Sequence, residues 1–163
     1  MEVSWPTLLE EMSGCQKCRL CERRTNVVPG EGNPRAELLL IGEGPGRDED
    51  ALGRPFVGAA GRLLEKMLAA IDLTRSDVYI ANVVKCRPPG NRAPEADEVA
   101  ACMPYLRAQT ALIRPKVIVL MGASALKAVL GDQMRITRDR GQWIERKGVF
   151  MMPTFHPAAL LRD

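Results

Sequence analysis

The sequence predicts an α/β fold: a central four-stranded parallel sheet flanked by helices in a three-layer sandwich, preceded by an N-terminal cysteine-cluster segment. Three observations carry this expectation. Four short apolar runs are each bounded by glycine, proline or polar residues. The intervals between them hold apolar residues at helical spacing. A helix after a strand returns the chain to lay the next strand parallel to the last.

The first element along the chain is the tight cysteine group Cys15-x2-Cys18-x2-Cys21, with Cys86 and Cys102 far downstream. Five is an odd number for a disulfide framework, so metal-ligating thiolates are the better reading. By count alone, zinc and an iron–sulfur cluster fit equally.

AELLLIG (36–42) is the first apolar run and DVYIANVV (77–84) the second. The interval VGAAGRLLEKMLAAI reads as a helix with Leu64, Met67, Leu68 and Ile71 on one face. KVIVLMG (116–122) is the third strand. Before it, APEADEVAACMPYLRAQTALIRP reads as a long helix, with Pro94, Glu95, Asp97 and Glu98 suited to its positive end. Val99, Cys102, Leu106 and Ile113 share one face of that helix. ASALKAVLG is a short helix stopped by Gly131, GQWIERKG (141–148) a small hairpin, and VFMMPTF (149–155) the last strand.

Ligands of open parallel sheets bind beyond the carboxyl ends of the strands. Here those ends carry GEGPG after the first strand, Asn82 and KCRPPGNR after the second, Gly122-Ala123-Ser124 after the third, and His156 after the fourth. A glycine loop at such a place ordinarily cradles phosphate. This loop lacks the Lys-Ser/Thr ending of a phosphate loop and carries Glu43, Asp48, Glu49 and Asp50. Phosphate transfer is therefore disfavoured.

Each remaining candidate has a structural and a functional reading. His156 is the single histidine, and at a strand end it can donate to developing negative charge or serve as an acid or base. Asn82 is either a cross-strand hydrogen-bonding amide or a reader of a planar heterocycle's edge. Phe56, inside GRPFVG (53–58), is a core anchor or a stacking platform for a base. Leu160 begins an amphipathic helix or wedges into a vacated base stack.

Net charge is +3, 46% of residues are hydrophobic, and no apolar run approaches the roughly 20 residues a membrane span needs. The N-terminus lacks a signal-peptide pattern, so the expectation is a cytoplasmic, single-domain monomer (1–163) with no membrane partner. Arg23, Arg24, Arg35, Arg87, Arg92, Arg138, Arg140 and Arg162 fall in segments that read as loops, either a solvated surface or a face for a polyanion.

Taken together, CQKC, GEGPGRDED…GRPFVG, YIANVVKCRPPGNRAP, VIVLMGASAL and FHPAALLR resemble family 4, the iron–sulfur branch of the uracil-DNA glycosylase superfamily, over almost the whole chain. The resemblance implies excision of uracil from single- or double-stranded DNA to leave an abasic site and free uracil. It implies a structural 4Fe–4S cluster on Cys15, Cys18, Cys86 and Cys102, with Cys21 a bystander. It implies that Gly42, Glu43, Gly44 and Gly46 wall the pocket and that Asn82 reads uracil's edge. Phe56 would stack on the base, His156 face its carbonyl oxygen, and Leu160 act as the wedge. Better-known members of the superfamily carry an aspartate where Gly44 stands, so Glu43 is expected to serve as the acid, with Asp48 to Asp50 in reserve. The family also continues into a C-terminal helix beyond the HPAALLR motif. The alternative reading is an inactive or covalently trapping uracil-DNA-binding iron–sulfur protein.

Overall fold

A computed structural model describes residues 3–162. The four apolar runs form strands β2 (Leu38–Gly42), β3 (Tyr79–Asn82), β4 (Val117–Met121) and β6 (Val149–Thr154), paired in parallel in the order β3-β2-β4-β6. The sheet has six strands rather than the expected four. Two short antiparallel strands, β1 (Glu31–Gly32) on β3 and β5 (Ile144–Arg146) on β6, close its edges. The second of these is the hairpin anticipated at 141–148, and its strand ends at Lys147–Gly148, where both residues take positive φ.

The central strands are continuous apolar runs because both sheet faces are covered. Leu39 and Ile41 belong to one core cluster, and Leu40, Ile80 and Met121 to the cluster on the opposite face. Truncating a fully buried leucine such as Leu39 to alanine would cost about 2–5 kcal/mol.

Helix α1 (Trp5–Ser13) was not expected from the sequence. Ser4 caps it by accepting from the Thr7 amide, and it buries Leu8 and Met12. It packs against α4 (Ala96–Ile113), as the Tyr105 hydroxyl donating to the Glu11 carbonyl illustrates. Pro94 lies just outside α4, whose cap is Glu95. Cys102, Leu106 and Ile113 are buried as the face predicted, and Val99 is half-buried.

α2 (Arg47–Leu52) follows the glycine loop, and α3 (Ala59–Ala69) follows GRPFVG. Leu64 and Leu68 of α3 are buried, whereas Met67 and Ile71 are exposed, so the apolar face is narrower than its spacing suggested. Ile71 lies past the end of the helix. α5 (Ala123–Leu130) follows β4 and stops at Gly131 as expected. α6 (Ile136–Asp139) and α7 (Pro157–Leu160) are single turns.

The chain runs from β2 outward to β3, then returns to β4 on the other side of β2. The carboxyl ends of β2 and β4 are therefore the topological switch point, where α/β sheets bind ligands. No helix among the described residues is long and apolar enough to cross a membrane.

Candidate active site

A cleft of about 570 Å³ opens at that switch point. Glu43, Gly44, Gly46, Phe56, Asn82 and His156, all singled out from the sequence, line it together. Gly42 lies behind them at the end of β2. Leu160, half-exposed at the end of α7, is not among the lining residues.

The innermost wall is set by strand register. Gly42 and Asn82 are paired across β2 and β3. A Cβ on Gly42 would lie 2.6 Å from Asn82 Oδ1 and 2.7 Å from the Phe56 ring. Glycine is needed at 42 because an amide and an aromatic ring both crowd its backbone. Asn82 is 2% exposed, and its Oδ1 has no hydrogen-bond partner among the described residues. A buried, unpaired acceptor costs on the order of 1–3 kcal/mol. In a cleft wall such an acceptor is open to a donor from outside the protein.

Phe56 is buried, and its ring stacks on the His156 imidazole at 5.2 Å between centroids and 25° between planes. His156 caps α7, its Nδ1 accepting from the Ala158 amide at 3.0 Å. A backbone N–H can only donate, so Nδ1 is the unprotonated nitrogen and the neutral ring carries its proton on Nε2. Burial lowers the His156 pKa; Glu43 and Glu49 oppose that shift, and Arg162 reinforces it. The ring is therefore held as a neutral Nε2–H donor.

Glu43 accepts a 2.5 Å hydrogen bond from the hydroxyl of Ser124 on α5, a bond that spans the switch point. Sequence reasoning placed Ser124 at a strand end without giving it a role. A Cβ on Gly44 would meet Val84 Cγ2 at 2.7 Å, so this backbone has no room for the aspartate of better-known relatives unless Val84 shifts.

The other acids of the loop are engaged within the protein, although Glu49 also lines the cleft. Glu49 accepts from the amides of Gly46, Val57 and Gly58, each at 3.0 Å. Asp50 is buried and accepts from the amides of Thr25 and Asn26. Asp48 pairs with Arg47 at 3.5 Å, and it does not line the cleft. The carboxylates thus consume backbone donors that would otherwise meet an anion.

Several of the arginines expected in loops are engaged by protein partners. Arg92 lines the cleft, but Glu98, which is fully buried, grips it bidentately at 2.7 and 2.8 Å. Glu98 in turn holds its own carboxylate pKa low through Arg92. Arg138 lies in α6 and pairs with Asp139. Arg24 donates to the Cys15 carbonyl and to the Cys86 sulfur. Arg162 remains at the cleft rim.

All five cysteines line a second, small cavity between α1, the 19–22 turn, the end of β3 and α4. Cys86 and Cys102 are buried; Cys15, Cys18 and Cys21 are half-buried. The Lys85 amide donates to Cys102 Sγ at 3.3 Å. Burial raises the thiol pKa values of Cys18 and Cys102 and pushes Cys86 up to about 11, and each of the three is raised further by neighbouring cysteines. Thiols so placed become thiolates when a metal draws them. Among the described residues, no three Cys, His, Asp or Glu side chains converge tightly enough for a single metal ion.

Lys85, which sequence reasoning passed over, joins this cavity to the cleft. It is 1% exposed, its Nζ donates to the Asn82 carbonyl at 2.8 Å, and burial lowers its pKa to about 8. A lysine inside the apolar run NVVKC was the available signal.

The chain is similar to several uracil-DNA glycosylases. A type-4 uracil-DNA glycosylase of Sulfurisphaera tokodaii is 50% identical over 93% of this chain and 73% of its own length. One of Thermotoga maritima is 50% identical over 94% of this chain and 81% of its own. A type-5 uracil-DNA glycosylase of Pyrobaculum aerophilum is more distant, at 33% identity over 82% of this chain and 66% of its own. The pattern of the Uracil DNA glycosylase superfamily matches residues 29–163, which include every residue of the cleft, and the chain belongs to that superfamily.

Proposed function

We propose that the protein is a DNA repair glycosylase that flips uracil out of DNA and hydrolyses its N-glycosidic bond, releasing uracil and leaving an abasic site. The observation that carries this reading is the unpartnered Asn82 Oδ1, buried in a cleft wall beside an aromatic ring and a neutral imidazole.

Uracil offers an N3–H donor beside its O4 acceptor, and an asparagine amide matches both. Cytosine presents the opposite pattern and would leave buried groups unpaired, which discriminates strongly. The flipped base would stack on Phe56, with unstacking from DNA costing a few kcal/mol. Leu160, exposed beside the cleft, suits the wedge that fills the gap.

As the C1′–N1 bond breaks, its electron pair goes to uracil and the sugar gains positive charge. His156 Nε2–H donates to uracil O2 and stabilises the departing anion. Glu43, steadied by Ser124, faces the sugar; it orients the water whose oxygen bonds to C1′, and its negative charge opposes the oxocarbenium. The proton released by water balances the uracil anion. Arg162 and the loop arginines meet phosphates, giving a salt-dependent grip that carries little sequence information.

Cys15, Cys18, Cys86 and Cys102 are the ligand set proposed for a 4Fe–4S cluster, with Cys21 outside it. What supports a shared metal centre is that the thiols surround one cavity on three chain segments; the choice of iron–sulfur over zinc follows from the family resemblance. When bound, the cluster supplies a cross-link between the N-terminal segment, β3 and α4, and no chemistry at the base. Cys86 lies four residues beyond Asn82, so the same link steadies the base-reading strand.

The test is incubation with uracil-containing and matched thymine oligonucleotides, followed by alkaline cleavage of abasic sites. Cleavage that depends on uracil is expected; its absence overturns the enzymatic reading.

A further inference from the structure

Phe56 sits in a backbone conformation that its side chain disfavours. Its φ is +51°, in the left-handed region where a bulky residue is an outlier that persists only if its surroundings over-determine it. The neighbouring residues supply that constraint. Arg75, in the loop between α3 and β3, reaches back with a fork of donors: Nη1 donates to the Phe56 carbonyl and Nη2 to the Pro55 carbonyl, each at 2.6 Å. From the other side, Glu49 accepts from the next two amides, Val57 and Gly58. Gly61 of α3 lets the turn close, because a Cβ there would lie 1.8 Å from the Phe56 carbonyl oxygen.

Arg75 is itself braced. Its side chain is 14% exposed and lies 3.5 Å from both Glu31 of β1 and Glu65 of α3. Its planar guanidinium can serve two adjacent carbonyls at once, which a lysine ammonium cannot match in geometry. Arg75 does not line the cleft. Its polar contacts lead to the backbone that aims the Phe56 ring.

We infer that Arg75 is a positioning residue that, with Glu49, clamps the Pro55–Gly58 turn and thereby fixes the Phe56 ring against His156 as the floor on which a flipped base stacks. The inference rests on the reading of Phe56 as the stacking platform, but the clamp is measurable without any substrate. The chain has one histidine, so its imidazole C–H signals are unambiguous in NMR spectra, and the ring current of Phe56 acts on them directly.

The experiment compares wild type, Arg75→Met, Phe56→Ala and the double variant. Arg75→Met should move the His156 ring signals toward their position in Phe56→Ala, and the double variant should coincide with Phe56→Ala. With uracil-containing DNA, Arg75→Met should raise the half-saturating concentration about tenfold, the order carried by base–aromatic stacking. Its maximal rate should stay within about threefold of wild type, and it should cost nothing further in the Phe56→Ala background. Arg75→Lys, which keeps the charge between Glu31 and Glu65, should shift the same signals by less and serves if the methionine variant does not fold. Unmoved imidazole signals in a folded Arg75 variant, or costs that add in the double variant, overturn the clamp. Wild-type protein that releases no uracil overturns the proposed activity instead, and the imidazole signals still decide the clamp.

Discussion

Ser124 Oγ donates to Glu43 Oε2 at 2.5 Å, joining the start of α5 to the loop after β2 across the sheet's switch point. The bond holds one carboxylate oxygen still and leaves the other for water or the sugar. Glu43→Gln keeps the shape but loses the charge, and should lower the maximal rate about 10²–10⁴-fold with DNA binding retained. Ser124→Ala removes only the steadying donor, so about a tenfold loss is expected. Single-turnover uracil release measures both, and a Glu43→Gln enzyme at wild-type rate would remove Glu43 from the mechanism.

The donor role proposed for His156 predicts an acid limb to the reaction. Burial holds its pKa below the ordinary histidine value of about 6.5, so the neutral ring persists through neutral pH; protonation below that value keeps the Nε2–H but removes the Nδ1 acceptor that the Ala158 amide uses to hold the ring. The unfolded chain binds its proton first on acidification. This group therefore contributes stability that is present above about pH 6.5 and shed as pH falls through the folded pKa. Glu43 raises the His156 pKa and Arg162 lowers it, so Glu43→Gln should move the NMR midpoint of the imidazole further down and Arg162→Ala should move it up. Shifts of opposite sign would contradict the placement of those charges.

What could be read from sequence followed physical scale. Parallel strands buried on both faces announce themselves as apolar runs, so β2, β3, β4 and β6 were legible, and strand ends then gathered Glu43, Asn82 and His156 correctly. Strand β1, two residues long, and helix α1, with only Leu8 and Met12 buried, leave too little pattern to read. The acids of the GRDED stretch looked available because sequence does not show which backbone amides need acceptors. Glu49 and Asp50 serve five of them. The roles of Ser124 and Arg75 could not be read for a related reason: each contacts a residue far away in the chain, Glu43 and Phe56.

The cysteine cavity predicts a graded series. Cys15→Ser, Cys18→Ser, Cys86→Ser and Cys102→Ser should each lose the visible absorbance of an iron–sulfur centre and melt on the order of 10 °C lower, because metal binding free energy is folding free energy. Cys21→Ser should keep both absorbance and melting temperature. Chelation of iron should reproduce the four-cysteine phenotype in the native chain. Equal loss in Cys21→Ser would instead make Cys21 a ligand, which its place in the same cavity allows to be tested directly.

Gly42 offers the sharpest test of the pocket itself. An alanine there places a methyl 2.6 Å from Asn82 Oδ1 and 2.7 Å from the Phe56 ring, distances that neither group can absorb without moving. Both are held: Asn82 by strand pairing with Gly42, Phe56 by the turn around it. Overpacking of this kind costs about 1–3 kcal/mol, which a domain of this size survives. Base recognition should not survive it, since the amide and the ring are the two groups proposed to contact uracil. Gly42→Ala should therefore remain folded and keep its affinity for abasic DNA, whose contacts are to phosphate and sugar. Its uracil release should fall by on the order of 10²-fold, as a misplacement of about 1 Å does elsewhere. An alanine variant that releases uracil at the wild-type rate would show that Asn82 and Phe56 do not form the pocket wall.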